Sequence, residues 1–385
     1  MFPGMRILIA PDKFKGSLDA GEVAETILDG LTAGGFRGNA ILFPMADGGE
    51  GTVDILVRHS QGIFRSAVVN DPLFRKITAR YGTDKEGKRA YIEMSAASGL
   101  TLLKEKERNC LYTTTYGTGE LMLDAFRNGC EEIIVCLGGS ATNDGGTGMA
   151  AALGYRFYDK SGNLVIPTGK NLVRIHDYDD VAIHDLVFEN RVRVLCDVAA
   201  PLYGKEGAAF VYGPQKGAAP PDVRLLDHGL KKLAKLVEQK TGKDYSMIPG
   251  AGAAGGLGFG LMAFCRGLLL PGFDMVARLT GFGEELKKCD LVITGEGRYD
   301  EQTLQGKTVE GIRQMAIREG KPMLVLAGTA SSALKSKPPR GILQVITLYD
   351  HSPGTEEILR DSKDLLRQAS QKLAGFLNEN IRTTR

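Results

Sequence analysis

Five glycine-rich polar turns hold most of the side chains of this chain that could do chemistry, at residues 11–17, 47–52, 138–146, 197–207 and 295–307. They mix acids and bases. Asp12, Lys13 and Lys15 stand with Gly16 and Ser17 in the first, and Asp47 and Glu50 stand among Gly48, Gly49 and Gly51 in the second. Ser140, Thr142, Asn143 and Asp144 share the third, Asp197 opens the fourth, and Glu296, Arg298, Asp300 and Lys307 lie in the fifth. Backbone N–H groups exposed in such turns favour anions. Carboxylates hold a hard Mg²⁺ through one or two oxygens while lysines and amides neutralise phosphate oxygens, so the combination points to phosphoryl transfer from a nucleotide.

Each turn also has a plainer reading. Gly48, Gly49 and Gly51 are what a positive-φ turn and a closely packed helix need, Asp47 or Asp144 suits a helix N-cap, and Ser140, Thr142 and Asn143 can saturate the turn after Gly139. Lysines on a loop are solvated by default. Familiar motifs do not decide the matter: Gly306, Lys307 and Thr308 end a Walker A pattern, but its earlier glycine would fall at Glu301. The G-x-G-x-x-G string at Gly250, Gly252 and Gly255 follows Ser246 to Pro249 and not a strand, which weakens a dinucleotide reading. No H-E-x-x-H, zinc spacing or G-x-S-x-G elbow occurs, and the five histidines have no sequence partners. The functional reading gains its weight from five such turns in one chain.

The turns follow short, nearly uninterrupted apolar runs. Residues 7–10, 40–45, 133–137, 192–196, 291–294, 323–327 and 343–348 read as strands buried on both faces, as in parallel sheets. Asp19 and Glu22 have capping-box spacing ahead of a helix bearing Val23, Ile27, Leu28 and Leu31 on one face. Val309, Ile312, Met315 and Ala316 mark a second helix stopped by Gly320 and Pro322, and the stripe Ile358, Leu365, Ala369, Leu373, Phe376 predicts a long C-terminal helix. Strand and helix alternate at both ends of the chain, which predicts a flavodoxin-like, doubly wound parallel α/β sheet with strand order 2-1-3-4-5. Residues 65–70, 76–83 and 89–95 alternate polar and apolar, as one-sided or antiparallel strands do. The expected domains are therefore residues 1–61 with 283–385, and a mixed α/β domain at 62–282 inserted between them. In an open α/β sheet the strand C-termini share one edge, so the turns after residues 7–10, 41–45 and 291–294 should line one crevice.

Composition bounds the alternatives. A chain of 385 residues suits two domains. Its 48 basic and 46 acidic residues leave a formal charge of +2, too little to gather nucleic acid or anionic membrane as a whole. Fifty residues are glycine, nearly double the typical share of about 7%, without a Gly-X-Y period, so glycine should serve many separate turns. The six cysteines lack any C-x-x-C pair and lie mostly in apolar runs, the pattern of reduced core residues in a cytoplasmic protein. No signal-type segment or membrane-length apolar stretch is visible.

At these same turns the chain resembles the type I glycerate kinase family over nearly its whole length. The segments are APDKFKGSL at 10–18, PMADGGEGT at 44–52, GTGEL at 117–121, GGSATNDGG at 138–146, CDV at 196–198, YGPQKGA at 212–218, GAAGGLG at 252–258 and TGEGRYDEQTLQGK at 294–307. The resemblance implies ATP- and Mg²⁺-dependent phosphorylation of D-glycerate, commonly at the 2-hydroxyl to give 2-phosphoglycerate, by a two-domain fold with one domain inserted in the other. It also implies a small-molecule substrate without nucleic-acid or membrane partners, and a homo-oligomer is compatible with it.

Since phosphoryl transfer is mostly positioning and charge neutralisation, roles are expected on those terms. Lys13, Lys15, Ser17 and the Gly16 amide would contact phosphate, with Lys15 catalytic. Asp197 would orient the glycerate hydroxyl and accept its proton late, with Asp47 the second candidate. Glu296, Asp300 and Asp144 would hold metal, although which carboxylate is base and which ligand stays open. Arg298 would clamp the glycerate carboxylate. Gly48, Gly49, Ser140, Thr142, Asn143, Gln215, Lys216 and Lys307 complete the binding set, and the 138–146 turn would close over the substrate. The chain departs from the family pattern at Ala200, where asparagine is common, at Val309, where proline is, and at Lys13, where serine is also usual; Ala200 bears on substrate preference. A kinase for a different small hydroxy acid is the first alternative. A non-catalytic nucleotide or sugar-acid sensor is the second, but its mark would be lost acidic groups, and Asp47, Asp144, Asp197 and Glu296 are all present.

Overall fold

The Arg6–Ile9 run forms the first strand, β1, and Asp19 starts the first helix as its spacing predicts: Glu22 N donates to Asp19 Oδ1 at 2.8 Å and Asp19 N to Glu22 Oε2 at 2.9 Å. A computed structural model describes the backbone of residues 4–181, 191–305 and 307–383, so Gly306 of the failed Walker pattern lies outside the described residues. After β1 come α1 (Ala20–Ala33), β2 (Asn39–Leu42), α2 (Thr52–His59), β3 (Ile63–Asn70), β4 (Lys76–Thr83) and β5 (Arg89–Glu93). There follow α3 (Ser95–Ser98), α4 (Tyr116–Arg127), β6 (Glu132–Cys136), α5 (Thr147–Ala152), β7 (Arg156–Tyr158), β8 (Asp177–Asp179) and β9 (Val192–Leu195). The next stretch holds α6 (Ala208–Tyr212), α7 (Pro220–Thr241), α8 (Ala253–Cys265), β10 (Leu268–Leu270), α9 (Gly272–Thr280) and α10 (Phe282–Lys288). The chain ends through β11 (Leu291–Tyr299), α11 (Thr308–Arg318), β12 (Met323–Ala330), α12 (Ser332–Ser336), β13 (Ile342–Thr347) and α13 (Thr355–Thr383).

Contacts divide the chain into two units, Met1–Asp47 with Phe273–Arg385, and Gly48–Gly272. The first is built on a five-stranded sheet in the order β13-β12-β11-β1-β2 with every pairing parallel, the expected 2-1-3-4-5 order. Ile7 lies opposite Leu291 and Ile9 opposite Ile293, so the strands predicted from the two ends of the chain are neighbours. Ile7, Ile9, Leu291, Ile293, Leu324 and Leu326 form one buried face with Val23, Ile27 and Leu31 of α1 and Leu366, Leu373 and Leu377 of α13. Leu8, Val292 and Val325, of opposite parity, are equally buried, and α10 and α11 pack on β1 and β11. Apolar faces on both sides explain why these strands read as continuous runs and not as alternation.

The second unit carries a six-stranded sheet, β10-β9-β6-β5-β4-β3, in which β5, β6, β9 and β10 pair in parallel while β3 and β4 run antiparallel at one edge. The alternating strands predicted in this region are thus the antiparallel edge, with β5 as the hinge between the two patterns. The unit begins at Gly48 and not after residue 61, because α2 packs on β4 and β5 and Glu93 of β5 accepts from Gly51 N at 2.6 Å and Val53 N at 3.3 Å at its N-terminus. It ends at Gly272 and not at 282: the Phe273 ring stacks edge-on against Phe282 at 6.4 Å and fills the space above Gly311.

Two glycine-rich segments interlock inside this unit. Residues Ala254, Gly255 and Gly256 are left-handed in succession at the start of α8, although Ala254 carries a side chain, and such a backbone costs about 1 to 3 kcal/mol unless its surroundings impose it. They impose it here: Gly145 N donates to Gly255 O at 3.1 Å and Thr142 Oγ1 to Ala254 O at 3.4 Å. A Cβ at Gly255 would lie 1.9 Å from Thr142 O. Gly255→Ala should therefore lower stability by about 3 kcal/mol or more, read as a large loss of midpoint in thermal or urea unfolding; an unchanged midpoint would show that the segment can relax.

Candidate active site

The C-terminal edge of the first sheet is tied together beyond its strands. Ala10 N donates to Ile293 O at 2.7 Å, Thr294 Oγ1 to Ala10 O at 2.7 Å, Asp12 N to Gly295 O at 2.8 Å and Met45 N to Pro11 O at 2.9 Å. The turns after β1, β2 and β11 are thereby held side by side, as the parallel order requires. The 14–17 turn, with Gly16 at a φ of 87°, lies against β11, since a Cβ at Gly297 would sit 3.2 Å from Lys15 N. Ser17 Oγ donates to Phe14 O at 3.2 Å, Lys13 is half-buried and Lys15 is exposed.

Carboxylates gather at this edge. Asp12 Oδ1 accepts from Lys13 N at 2.7 Å and Oδ2 from Thr308 Oγ1 at 2.6 Å, at the first residue of α11. Glu296 Oε1 accepts from Thr303 Oγ1 at 2.7 Å. Withdrawal from water, then the charge of Asp47, pushes the Asp12 carboxyl up to about 7 against the pull of Thr308 and Lys13. Withdrawal from water also pushes Glu296 up to about 8; Asp12 and Asp300 add to the rise, while Thr303 and Lys307 oppose it. Like charges that crowd one another in this way call for a cation among them. Among the described residues no group of three or more His, Cys, Asp or Glu side chains forms a cage for a metal ion. Mg²⁺ needs no such cage, since it keeps waters and takes one or two carboxylates plus phosphate oxygens, and Asp12 with Glu296 fits that demand.

The remaining expected residues of this unit are placed differently. Arg298 is largely exposed and its Nε pairs with Asp300 Oδ2 at 2.8 Å, while Asp300 Oδ1 accepts from Gln302 N at 2.9 Å. The expected carboxylate clamp and the expected metal ligand thus share a local ion pair through Nε.

In the second unit Asp144 is fully buried and saturated. Its Oδ2 accepts from Thr115 N at 2.7 Å, Thr115 Oγ1 at 2.9 Å and Gly148 N at 3.1 Å, and its Oδ1 from Gly146 N at 3.1 Å. Burial raises its carboxyl and these donors pull it back. That is the bonding of a structural acid closing the turn before α5. Lys216 is buried, with Nζ 2.6 Å from Ser140 Oγ and 2.8 Å from Thr142 O, so three members of the expected binding set do meet. Asn143 is fully buried, and Gln215 is exposed. Asp197 is exposed, and its Oδ1 accepts from Gly272 N at 2.7 Å at the start of α9. Gly48, at a φ of 91°, leaves room only for Leu195 and Gly272 beside it, and Gly49 O accepts from Thr52 Oγ1 at 2.6 Å.

The residues alone place Asp12 in the crevice without a role, mark Thr308 only as the end of a failed Walker A pattern, and do not single out Thr303, Thr115 or Glu93. Asp12 carried a usable signal, being the first acid beyond a buried strand at the sheet edge where such folds bind ligands. The threonines carried none.

Acids and lysines at the C-terminal edge of a doubly wound parallel sheet define a phosphotransferase type of site. The family model for the glycerate kinase family matches residues 7–378, and the chain belongs to that family of glycerate-phosphorylating kinases. It is 42% identical over 368 residues to a glycerate kinase of Halalkalibacterium halodurans, covering 96% of this chain and 97% of the relative. It is 39% identical to the glycerate 2-kinase of Escherichia coli K12, covering 98% and 99% of the two chains. A crystal structure assigned as a glycerate kinase 2 from Salmonella typhimurium LT2 superposes with a TM-score of 0.87 at 38% identity, covering 98% of this chain and 100% of that one. All six cysteines are free thiols, and among the described residues no helix is long and apolar enough to cross a membrane.

The raised carboxyls fix a sign for stability against pH. In the unfolded chain both groups titrate near the ordinary value of about 4, whereas the folded chain holds their protons to about 7 and about 8. Between those values the folded state binds more protons, so its advantage is full below about 4 and is lost as pH rises through the folded values. The melting temperature of the metal-free protein should fall from about pH 5 to about pH 8, and Asp12→Asn should flatten that fall. A melting temperature that rises over this range would contradict the assignment.

Proposed function

We propose that the chain transfers the γ-phosphoryl group of ATP to the 2-hydroxyl of D-glycerate. The observation that carries this is the gathering of Asp12 and Glu296 at one sheet edge, held by Thr308 and Thr303, with Asp47, Lys13 and Lys307 near enough for their charges to bear on them. Asp12 and Glu296 would hold Mg²⁺ there, and the ion would supply positive charge against the negative charge that develops on the phosphate. Lys13 and Lys15, with the Gly16 amide and Ser17, hold the phosphates at the first turn, and Lys307 balances Glu296. Asp144 is assigned to structure and not to metal, and Arg298 with Asp300 to the shape of the 294–307 turn. The 2-hydroxyl is favoured because a relative at 39% identity is named a glycerate 2-kinase. Ala200, the departure that bears on substrate, holds its turn through the backbone, since Gly252 N donates to Ala200 O at 2.9 Å.

Purified protein with ATP, Mg²⁺ and a panel of hydroxy acids should release ADP fastest with D-glycerate, and phosphorus NMR should find 2-phosphoglycerate. Excess EDTA should abolish turnover. Another preferred acid, a 3-phospho product or full activity in EDTA would each overturn the corresponding part of the reading.

Asp197 is assigned the proton of the glycerate hydroxyl, with Asp47 the competing candidate. Its bond from Gly272 N fixes the carboxylate's orientation, a condition for a positioned base. Asp197→Asn should lower kcat about 10²- to 10⁴-fold with little change in stability, toward the lower end because a loose transition state asks little of the base. Near wild-type kcat in that variant, with a large loss in Asp47→Asn, would move the role to Asp47.

A further inference from the structure

Lys216 is a buried cation without a direct ion pair among the described residues. It is 2% exposed, and its ammonium donates to two neutral acceptors, Ser140 Oγ at 2.6 Å and Thr142 O at 2.8 Å. An ammonium has three N–H donors, so one is unspent, and Lys216 forms no ion pair among the described residues. The ionisable groups that bear on it are Cys110 and Asp144. The Cys110 thiol is pushed up to about 11 by burial and stays neutral, and Asp144 spends its oxygens on Thr115, Gly146 and Gly148. Burial pulls Lys216 down to about 8, so it is still charged at neutral pH.

A charge removed from water is tolerated when it is paired. The same turn contains a second unsatisfied group. Asn143, one residue beyond the carbonyl that Lys216 holds, is 0% exposed, and neither its Oδ1 nor its Nδ2 has a hydrogen-bond partner. Buried amides in native proteins are almost always bonded, and an exception calls for a missing partner. Ser140, at the other end of the turn, is half-buried, which leaves a route to solvent on that side.

We infer that Lys216, with Ser140 and Asn143 of the turn it supports, seats the carboxylate of the hydroxy-acid substrate. This rests on the reading that the chain phosphorylates such an acid. One ammonium, with its third N–H still to place, suits the single charge of a carboxylate better than the several charges of a polyphosphate. Lys216 is also buried where Arg298 is exposed, the Arg298 guanidinium pairing with Asp300 through Nε at the surface. The residue would thus act in substrate selection, distinguishing acids from neutral polyols of the same size.

The test separates the site from the reaction. Turnover of D-glycerate by the wild-type chain reports on the function alone. Calorimetric binding of D-glycerate and of D-glyceramide, which keeps the hydroxyls and loses the charge, reports on the site. Wild type should prefer the acid to the amide by at least about tenfold, which is about 1.4 kcal/mol, and Lys216→Met should erase most of that preference. In steady state the variant should raise KM for D-glycerate more than it lowers kcat, with KM for ATP little changed, and Lys216→Arg should recover part of the loss. Ser140→Ala, at a half-buried position, carries the same test with a smaller effect if Lys216→Met does not fold. Equal acid and amide binding by wild type, an unchanged preference in a folded Lys216→Met, or a rise confined to the KM for ATP would overturn the inference.

Discussion

The withdrawal of Asp12 and Glu296 from water, with like charges near them, at the end of a parallel sheet is the constraint on which the site of the first unit depends. Parallel pairing of β1 with β2 and β11 brings the strand ends to one edge, and the acids follow because each stands just past its strand or near its end. Hydroxyls from Thr308 and Thr303 hold two of the carboxylates in place, but hydroxyls cannot supply charge. Burial first, and like charge second, raise both carboxyls. On the proposed function, these carboxyls would take a cation that arrives with phosphate.

The second unit treats buried charge in two opposite ways. Asp144 receives four donors from its own surroundings and so fixes the 113–118 segment to the start of α5. Lys216, likewise buried, is given two neutral acceptors and no direct ion pair among the described residues. The first is complete without a ligand, and its removal would strand several amides. The second is not complete, and the contrast separates a structural group from one whose partner comes from outside the chain.

Glycine lets these polar turns approach one another closely enough to bond. Twenty glycines among the described residues have positive φ, in keeping with the many separate turns that the composition implied. Others matter for contact and not for conformation. A Cβ at Gly30 would lie 2.4 Å from Arg367 O, so α1 and α13 can cover the sheet as one layer only because that position is bare.

The strands of the first sheet, their parallel order, the Asp19 capping box and the polar turns at which chemistry could occur were all legible in the residues alone, because apolar runs, helical spacing and strand-to-helix turns are local patterns. So was the family resemblance, which those turns carry. Where the units divide emerged only in three dimensions, since α2 joins whichever sheet buries it, and so did the question of which charged groups are spent. Arg298 and Asp300 look available in sequence and are paired in space; Asp144 looks like a ligand and is saturated by Thr115, 29 positions away. The hydroxyl that positions Asp12 comes from Thr308, 296 positions along the chain. Pairing and burial depend on contacts at such separations, whereas a residue's type and spacing record only what it could bond and not what reaches it first.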